Sequence, residues 1–239
     1  MIGHSYFSLR YGVLAPKAVC ETFRELGFPV GMLADVNATS AIWDVWRWSK
    51  KEEYPVLTGV DVKNGVRTVY VAIPHGEAGW LEVNEWLSYH LQSQRPFPER
   101  APEWRQVTVI YPIETIRDWP MEVMKQHEWV GIGHLDIHKW RISRWNKYPR
   151  CMACPVFSFR HQRDFNIHRL LRAVDSNALL SKLSVLDHAG MYEKFISFSD
   201  LQLAFSEYPE LLENTTRIFH ENFLLQQQTD LSSMKNQQV

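Results

Sequence analysis

At 239 residues, 45% of them hydrophobic and 22% charged, the chain suits one large globular domain or two small ones and excludes a disordered polymer. A formal net charge of -1 supplies no global field towards nucleic acid or an anionic membrane, so any such contact needs a local patch. Three cysteines make no disulfide framework, no apolar run approaches the roughly 20 residues of a membrane span, and MIGHSYFSLRYG is no signal peptide, which points to the cytoplasm.

In chain order, strand and helix patterns alternate. GHSYFSL reads as a short strand. APKAVCETFRELG reads as a helix, with Pro16 in its first turn and Gly27 past its end. PVGMLAD is strand-like and delivers Asp35 into a polar turn. TSAIWDVWRWSKKEE carries Ile42, Val45, Trp46 and Ser49 at helical spacing, with Thr39 as the N-cap and Arg47 to Lys51 as a solvated face. YPVLTGVDV and VRTVYVAIP are strands joined at Asn64 and Gly65, a pair favoured in type I′ hairpins. Glu77 to Leu91 form a long amphipathic helix, and SQRPFPERAPEW is a surface loop.

QVTVIYP, EWVGIGHL and RCMACPVF follow as strands, with a short helix near Glu114 to Asp118. RDFNIHRLLRAVD, SNALLSKL and FSDLQLAFSEYPELLENTTRIFHENF are helical, and LLQQQTDLSSMKNQQV is a polar tail expected to fray. This alternation predicts an α/β fold with a mainly parallel sheet and outer helices; the pattern leaves open whether the sheet closes into a barrel. The ten Trp are read as core and rim. Cys151 and Cys154 are spaced as in redox and zinc motifs, but side chains three apart on a strand leave opposite faces, and no second ligand pair exists. They are read as ordinary buried cysteines.

HSYFSLRYGV, LADVNATSAI, YPVLTGVDVKNG, EAGWLEVNEWLS, PERAPEW and FRHQRDFNIHRLLRAVDSNALLSKL, taken together and in this order, resemble a known family. It is the N-terminal polymerase and histidinol phosphatase (PHP) domain of the bacterial DNA polymerase III alpha subunit, in its Bacteroidetes-like form. The resemblance covers roughly residues 1 to 220. It implies a distorted, TIM-like βα barrel over residues 1–195, a helical extension packed on it over 196–225, and a frayed tail over 226–239.

Active members of that family resemble trinuclear metal phosphoesterases, whose His, Asp and Glu ligands activate a bridging water and clamp phosphate. In the family's H-x-H motif, the second histidine corresponds to His4 and the first to Ile2; the acid that follows corresponds to Tyr11. The T-D-H motif corresponds to Ala34, Asp35 and Val36, so its ligand histidine is absent. Asp61 keeps the acid after G-x. The D-x-H pair falls on Val156 and Ser158, and a further histidine on His134 or His138.

The resemblance thus implies a vestigial metal set of His4, Asp35, Asp61 and His134, with at most one weakly bound Zn, Mn or Mg ion and no catalytic residue. Arg10, Arg160 and His161 sit beside former ligand positions and could pair with Asp35 or Asp61 in place of metal charge. His4 and at least one acid are expected to hydrogen-bond within a plugged pocket. Three functions follow from the resemblance. The first is a degenerate scaffold in DNA replication, partnered by the rest of the polymerase III alpha chain or by replisome proteins, with DNA contact open and no membrane contact. The second is an active metal-dependent phosphoesterase or 3′–5′ exonuclease. The third is a stand-alone protein that binds a phosphorylated ligand. No polymerase palm motif, P-loop or nucleophile elbow is present.

Overall fold

A computed structural model describes residues 1–235 of the chain, with side chains over residues 1–227. Its elements are β1 (Ile2–Gly3), α1 (Pro16–Glu25), β2 (Gly31–Val36), α2 (Ile42–Glu52), β3 (Val56–Asn64), β4 (Arg67–Pro74), α3 (Gly76–Ser93), β5 (Val107–Pro112), β6 (Glu128–Ile132), α4 (Ile137–Ile142), β7 (Cys151–Ala153), β8 (Val156–Phe157), α5 (Gln162–Asp175), α6 (Phe198–Ala204) and α7 (Pro209–Lys235). The strands β2, β3 and β5 are buried almost throughout, as strands must be when both faces are covered.

The strands form one sheet in the order β7-β6-β5-β4-β3-β2-β1-β8. The β3–β4 hairpin makes β4 antiparallel to both neighbours; every other pairing is parallel. The two edges, β7 and β8, are separated in sequence only by Cys154 and Pro155. Three peptide steps reach at most about 11 Å, whereas a flat eight-stranded sheet is roughly 34 Å wide. The sheet therefore curls until its edges meet. Cys154 N–H donates to the Ile132 carbonyl at 2.8 Å on one side, and Ile2 N–H donates to the Pro155 carbonyl at 2.9 Å on the other. One extended segment thus closes an α/β barrel. Pro155, which has no N–H to offer a ladder, sits where that segment changes partner.

Helix α7 anchors to the base of this barrel. Gln226 Oε1 accepts from Thr58 N–H and Oγ1, and its Nε2 donates to the carbonyls of Thr58 and Pro74. Asn214 and Thr215 donate to the Cys151 and Ala153 carbonyls. α7 spans Pro209–Lys235 and includes much of the polar stretch 224–239; residues 236–239 lie outside the described residues. No helix among the described residues is long and apolar enough to cross a membrane.

Local expectations differ in five places. The first strand ends at Gly3, because Ser5 turns aside to donate its N–H to Asp35 at 2.7 Å. The hairpin loop is Gly65–Val66, flanked by the Asn64–Arg67 pair; only Gly65 has positive φ, which is the type II′ pattern rather than I′. Helix α2 starts at Ile42, and Thr39 Oγ1 donates to Asn84 instead of capping it. Residues 114–118 form turns, with the Ile116 carbonyl taken by the Trp145 indole at 3.1 Å. SNALLSKL holds only the 3-10 turn Leu180–Lys182, after Asn177 ends α5 at φ 49°.

Candidate metal centre

The parallel strands deliver their polar side chains to the C-terminal mouth of the barrel, where βα enzymes place chemistry. His4 follows β1, Asp35 ends β2, Asp61 lies opposite Val36 on β3, and Ser158 follows β8. All four are buried. His4 Nε2 lies 2.9 Å from Asp61 Oδ2, and His4 Nδ1 lies 2.8 Å from Ser158 Oγ. Ser158 Oγ also bonds Glu193 Oε2. The Lys63 ammonium lies 3.2 Å from Asp61 Oδ2, with the Val66 carbonyl and the Tyr11 hydroxyl each at 3.4 Å. Tyr11 packs its ring edge-on to His4 and reaches Glu193 at 3.4 Å.

Burial pushes the Asp61 carboxyl up, but Lys63 and His4 outweigh it and hold the group below the ordinary carboxylate range. Burial disfavours the charged Lys63 ammonium, yet Asp61, Tyr11 and Glu193 carry it above its ordinary value. With Asp61 ionised, His4 Nε2–H donates to it. Ser158 has one hydroxyl proton and two partners. The Ser158 oxygen therefore bridges His4 Nδ1 and Glu193 Oε2 in one chain of hydrogen bonds, while Lys63 answers Asp61.

Asp35 stands apart from this network. Its Oδ1 accepts from Ser5 N–H and Ser8 Oγ at 2.7 Å each, and its Oδ2 accepts from Ser5 Oγ at 2.8 Å. Burial raises its pKa; the serine donors oppose that shift without cancelling it. The carboxylate organises the loop after β1 and faces no open space that a ligand could enter, since it is 1% exposed.

These residues do not fit a metal cluster. Both nitrogens of His4 and both oxygens of Asp35 are committed. An ammonium sits where a cation would meet Asp61. Ile2 pairs with Val156 across β1 and β8 as apolar packing. One acceptor stays open, Asp61 Oδ1, against the roughly four to six donors a divalent ion takes. Among the described residues no three His, Cys, Asp or Glu side chains converge as a metal would need. Nor is Ser158–His4–Asp61 a nucleophilic triad: all three are 0% exposed, and Ser158 is tied to Glu193.

The other expected residues lie elsewhere. His134 follows β6 and lines a cavity of about 540 Å³ whose wall also includes Ile2, Lys63, Val156 and Glu193, but it makes no hydrogen bond to the His4 network; burial lowers its pKa. His138 is exposed on α4. The cation beside Asp61 is Lys63, not Arg10, Arg160 or His161. Arg10 pairs at the surface with Asp175 at 2.9 Å. Asp164, three residues into α5, takes the N–H groups of Arg160 and His161 to cap the helix and also pairs with the Arg160 guanidinium at 3.7 Å. The cavity's basic groups are likewise answered: Arg67 by Glu99, and Lys139 by Glu114 and Asp136. Lys63 carries a sequence signal, a lysine two residues from an acid on a buried strand, VDVKN. Glu193 carries none; it is brought in by the Met191–Glu193 turn, whose backbone pairs with Ser158.

No protein-family model and no curated protein matches the chain. Among solved structures it is similar to an amidohydrolase from Chromobacterium violaceum with bound sulfate and no metal. The identity is 22%, over 39% of this chain and 33% of that one, with a TM-score of 0.33. It is also similar to a candidate metal-dependent phosphoesterase from Bifidobacterium adolescentis, at 19% identity over 37% of this chain and 31% of that one, with a TM-score of 0.31. The aligned part spans about a third of each of those proteins. The chemistry rests on this chain's own side chains.

Proposed function

We propose that this chain is a PHP-type barrel of the kind joined to replicative DNA polymerase III alpha subunits, or a short relative, and that it serves as a scaffold rather than a hydrolase. The sequence segments quoted above support the family reading, and the barrel mouth with His4, Asp35 and Asp61 at strand ends is in keeping with it. One observation carries the loss of hydrolysis: the positions of the family's ligands are used for packing and internal bonding. Ile2 and Val156 pack, Tyr11 and Ser158 bind Glu193, and Val36 N–H donates to Ser8. Among the described residues, no three His, Cys, Asp or Glu side chains gather to hold a metal that could lower the pKa of a water.

The test uses one preparation in two arms. Single-stranded DNA and bis(p-nitrophenyl) phosphate are incubated with the protein in Mn, Zn or Mg. Hydrolysis is expected at background. The same protein is then run by size exclusion with a polymerase III alpha catalytic body that lacks its own PHP segment, and co-elution is expected. A metal-dependent rate abolished by Asp61→Ala contradicts the non-hydrolytic reading, and independent elution contradicts the scaffold reading.

A further inference from the structure

We propose that Lys63 is a tethered replacement for the metal centre: its ammonium supplies, from β3 itself, the cation around which Asp61, Tyr11 and the Val66 carbonyl converge. The inference rests on the PHP-type reading for what the site replaces, but its geometry stands alone. Barrel mouths gather polar side chains from several strands. An uncompensated buried carboxylate there is costly, because burial strips it of water that nothing else replaces. Asp61 is fully buried and would be such a group.

Lys63 answers it from close range. The ammonium is 3% exposed, 3.2 Å from Asp61 Oδ2, and 5.0 Å above the Tyr11 ring. Its remaining bonds go to the Val66 carbonyl and Tyr11 hydroxyl, so its donors are directed inwards. The Val66 carbonyl belongs to the hairpin loop, and Tyr11 to the loop after β1. One cation therefore ties three elements. A metal ion does the same by collecting ligands from several strands, but it must be acquired from solution and can be removed. A lysine is present in every copy of the chain. Tyr11 fits the exchange: where the family has an acid, a phenol brings a neutral oxygen and a ring face for the ammonium. One negative charge leaves the site as the multivalent cation does.

The expected consequence is a barrel whose folding ignores metal and depends on Lys63. Thermal melts would compare the unmodified chain with Lys63→Met, Lys63→Arg and the double variant Lys63→Met with Asp61→Asn, each with chelator and with millimolar Zn or Mn. Lys63→Met keeps most of the volume and removes the charge, so Tm should fall by on the order of 10 °C. The double variant removes the orphaned carboxylate and should recover more than half of that loss. Lys63→Arg keeps the charge and should lie above Lys63→Met. The unmodified chain should melt at one temperature with chelator, Zn or Mn.

If Lys63→Met fails to fold, the double variant and Lys63→Arg still decide the matter, since both keep the charges matched. The inference is overturned if Lys63→Met melts within about 2 °C of the unmodified chain, if the double variant melts no higher than Lys63→Met, or if chelator lowers the unmodified Tm. Hydrolysis with an intact Lys63 series would remove the functional reading alone. A flat series without hydrolysis would remove this inference alone.

Discussion

His168 shows how completely a buried imidazole can be used. Its Nδ1–H donates to the Tyr11 carbonyl at 2.7 Å, and its Nε2 accepts the Ala189 N–H at 3.0 Å. Only the neutral tautomer makes both bonds; a proton on Nε2 would meet the Ala189 N–H head on. Burial is the main reason its pKa falls to about 4. The unfolded chain titrates near 6.5. Between those values the unfolded state binds a proton that the folded state refuses. Stability is therefore complete above about 6.5 and declines as pH falls towards about 4. Urea unfolding at pH 7 and pH 5 should show about 2 kcal/mol of loss from this residue. His168→Gln should have a correspondingly flatter profile. An unchanged difference between the two pH values in that variant would show that proton binding by His168 is not coupled to folding.

At the scale of elements, the loop between β1 and α1 is the tightest feature of the mouth. It carries Ser5, Ser8 and Tyr11, all of which hold an acid or its partner. A Cβ on Gly12 would stand 1.7 Å from the Ser5 carbonyl oxygen, a backbone atom that no rotamer change can move. Gly12→Ala should cost about 3 kcal/mol or more by urea unfolding, because the loop must shift. A loss below about 1 kcal/mol would mean the loop is slack. Regular elements were legible in the sequence wherever burial is periodic: α1, α3, α5 and the strands β2 to β6 follow from apolar spacing and punctuation. The shortened first strand was not, because Asp35 overrides strand propensity from thirty positions away, as the Ser5 bond spans that separation. The stretch 114–118 turns instead of forming a helix because the Trp145 indole takes the Ile116 carbonyl, and the exposed SNALLSKL segment keeps only one 3-10 turn. At the site, His4 and Asp61 were visible as motif positions. Lys63 is legible as alternation on a strand, two residues from Asp61, whereas Arg10, Arg160 and His161 are adjacent in sequence to ligand positions but bond elsewhere. Glu193 depends on a chain reversal that no local pattern encodes.

For the whole molecule, closure of the barrel and the bonding at its mouth are linked. The segment 151–157 bonds β6 with one half and β1 with the other, which brings Ser158 onto His4. α7 anchors the opposite end through Gln226. Between them lies a polar cluster in which Lys63 answers Asp61 from within the chain. The central claim is that this cluster needs no metal. Elemental analysis by plasma mass spectrometry tests it most directly, on protein purified without chelator and then dialysed against Zn and Mn. The account predicts substoichiometric metal, at most one weakly held ion per chain that dialysis removes, because donors fall far short of a closed shell. Two or three ions per chain surviving dialysis would contradict it.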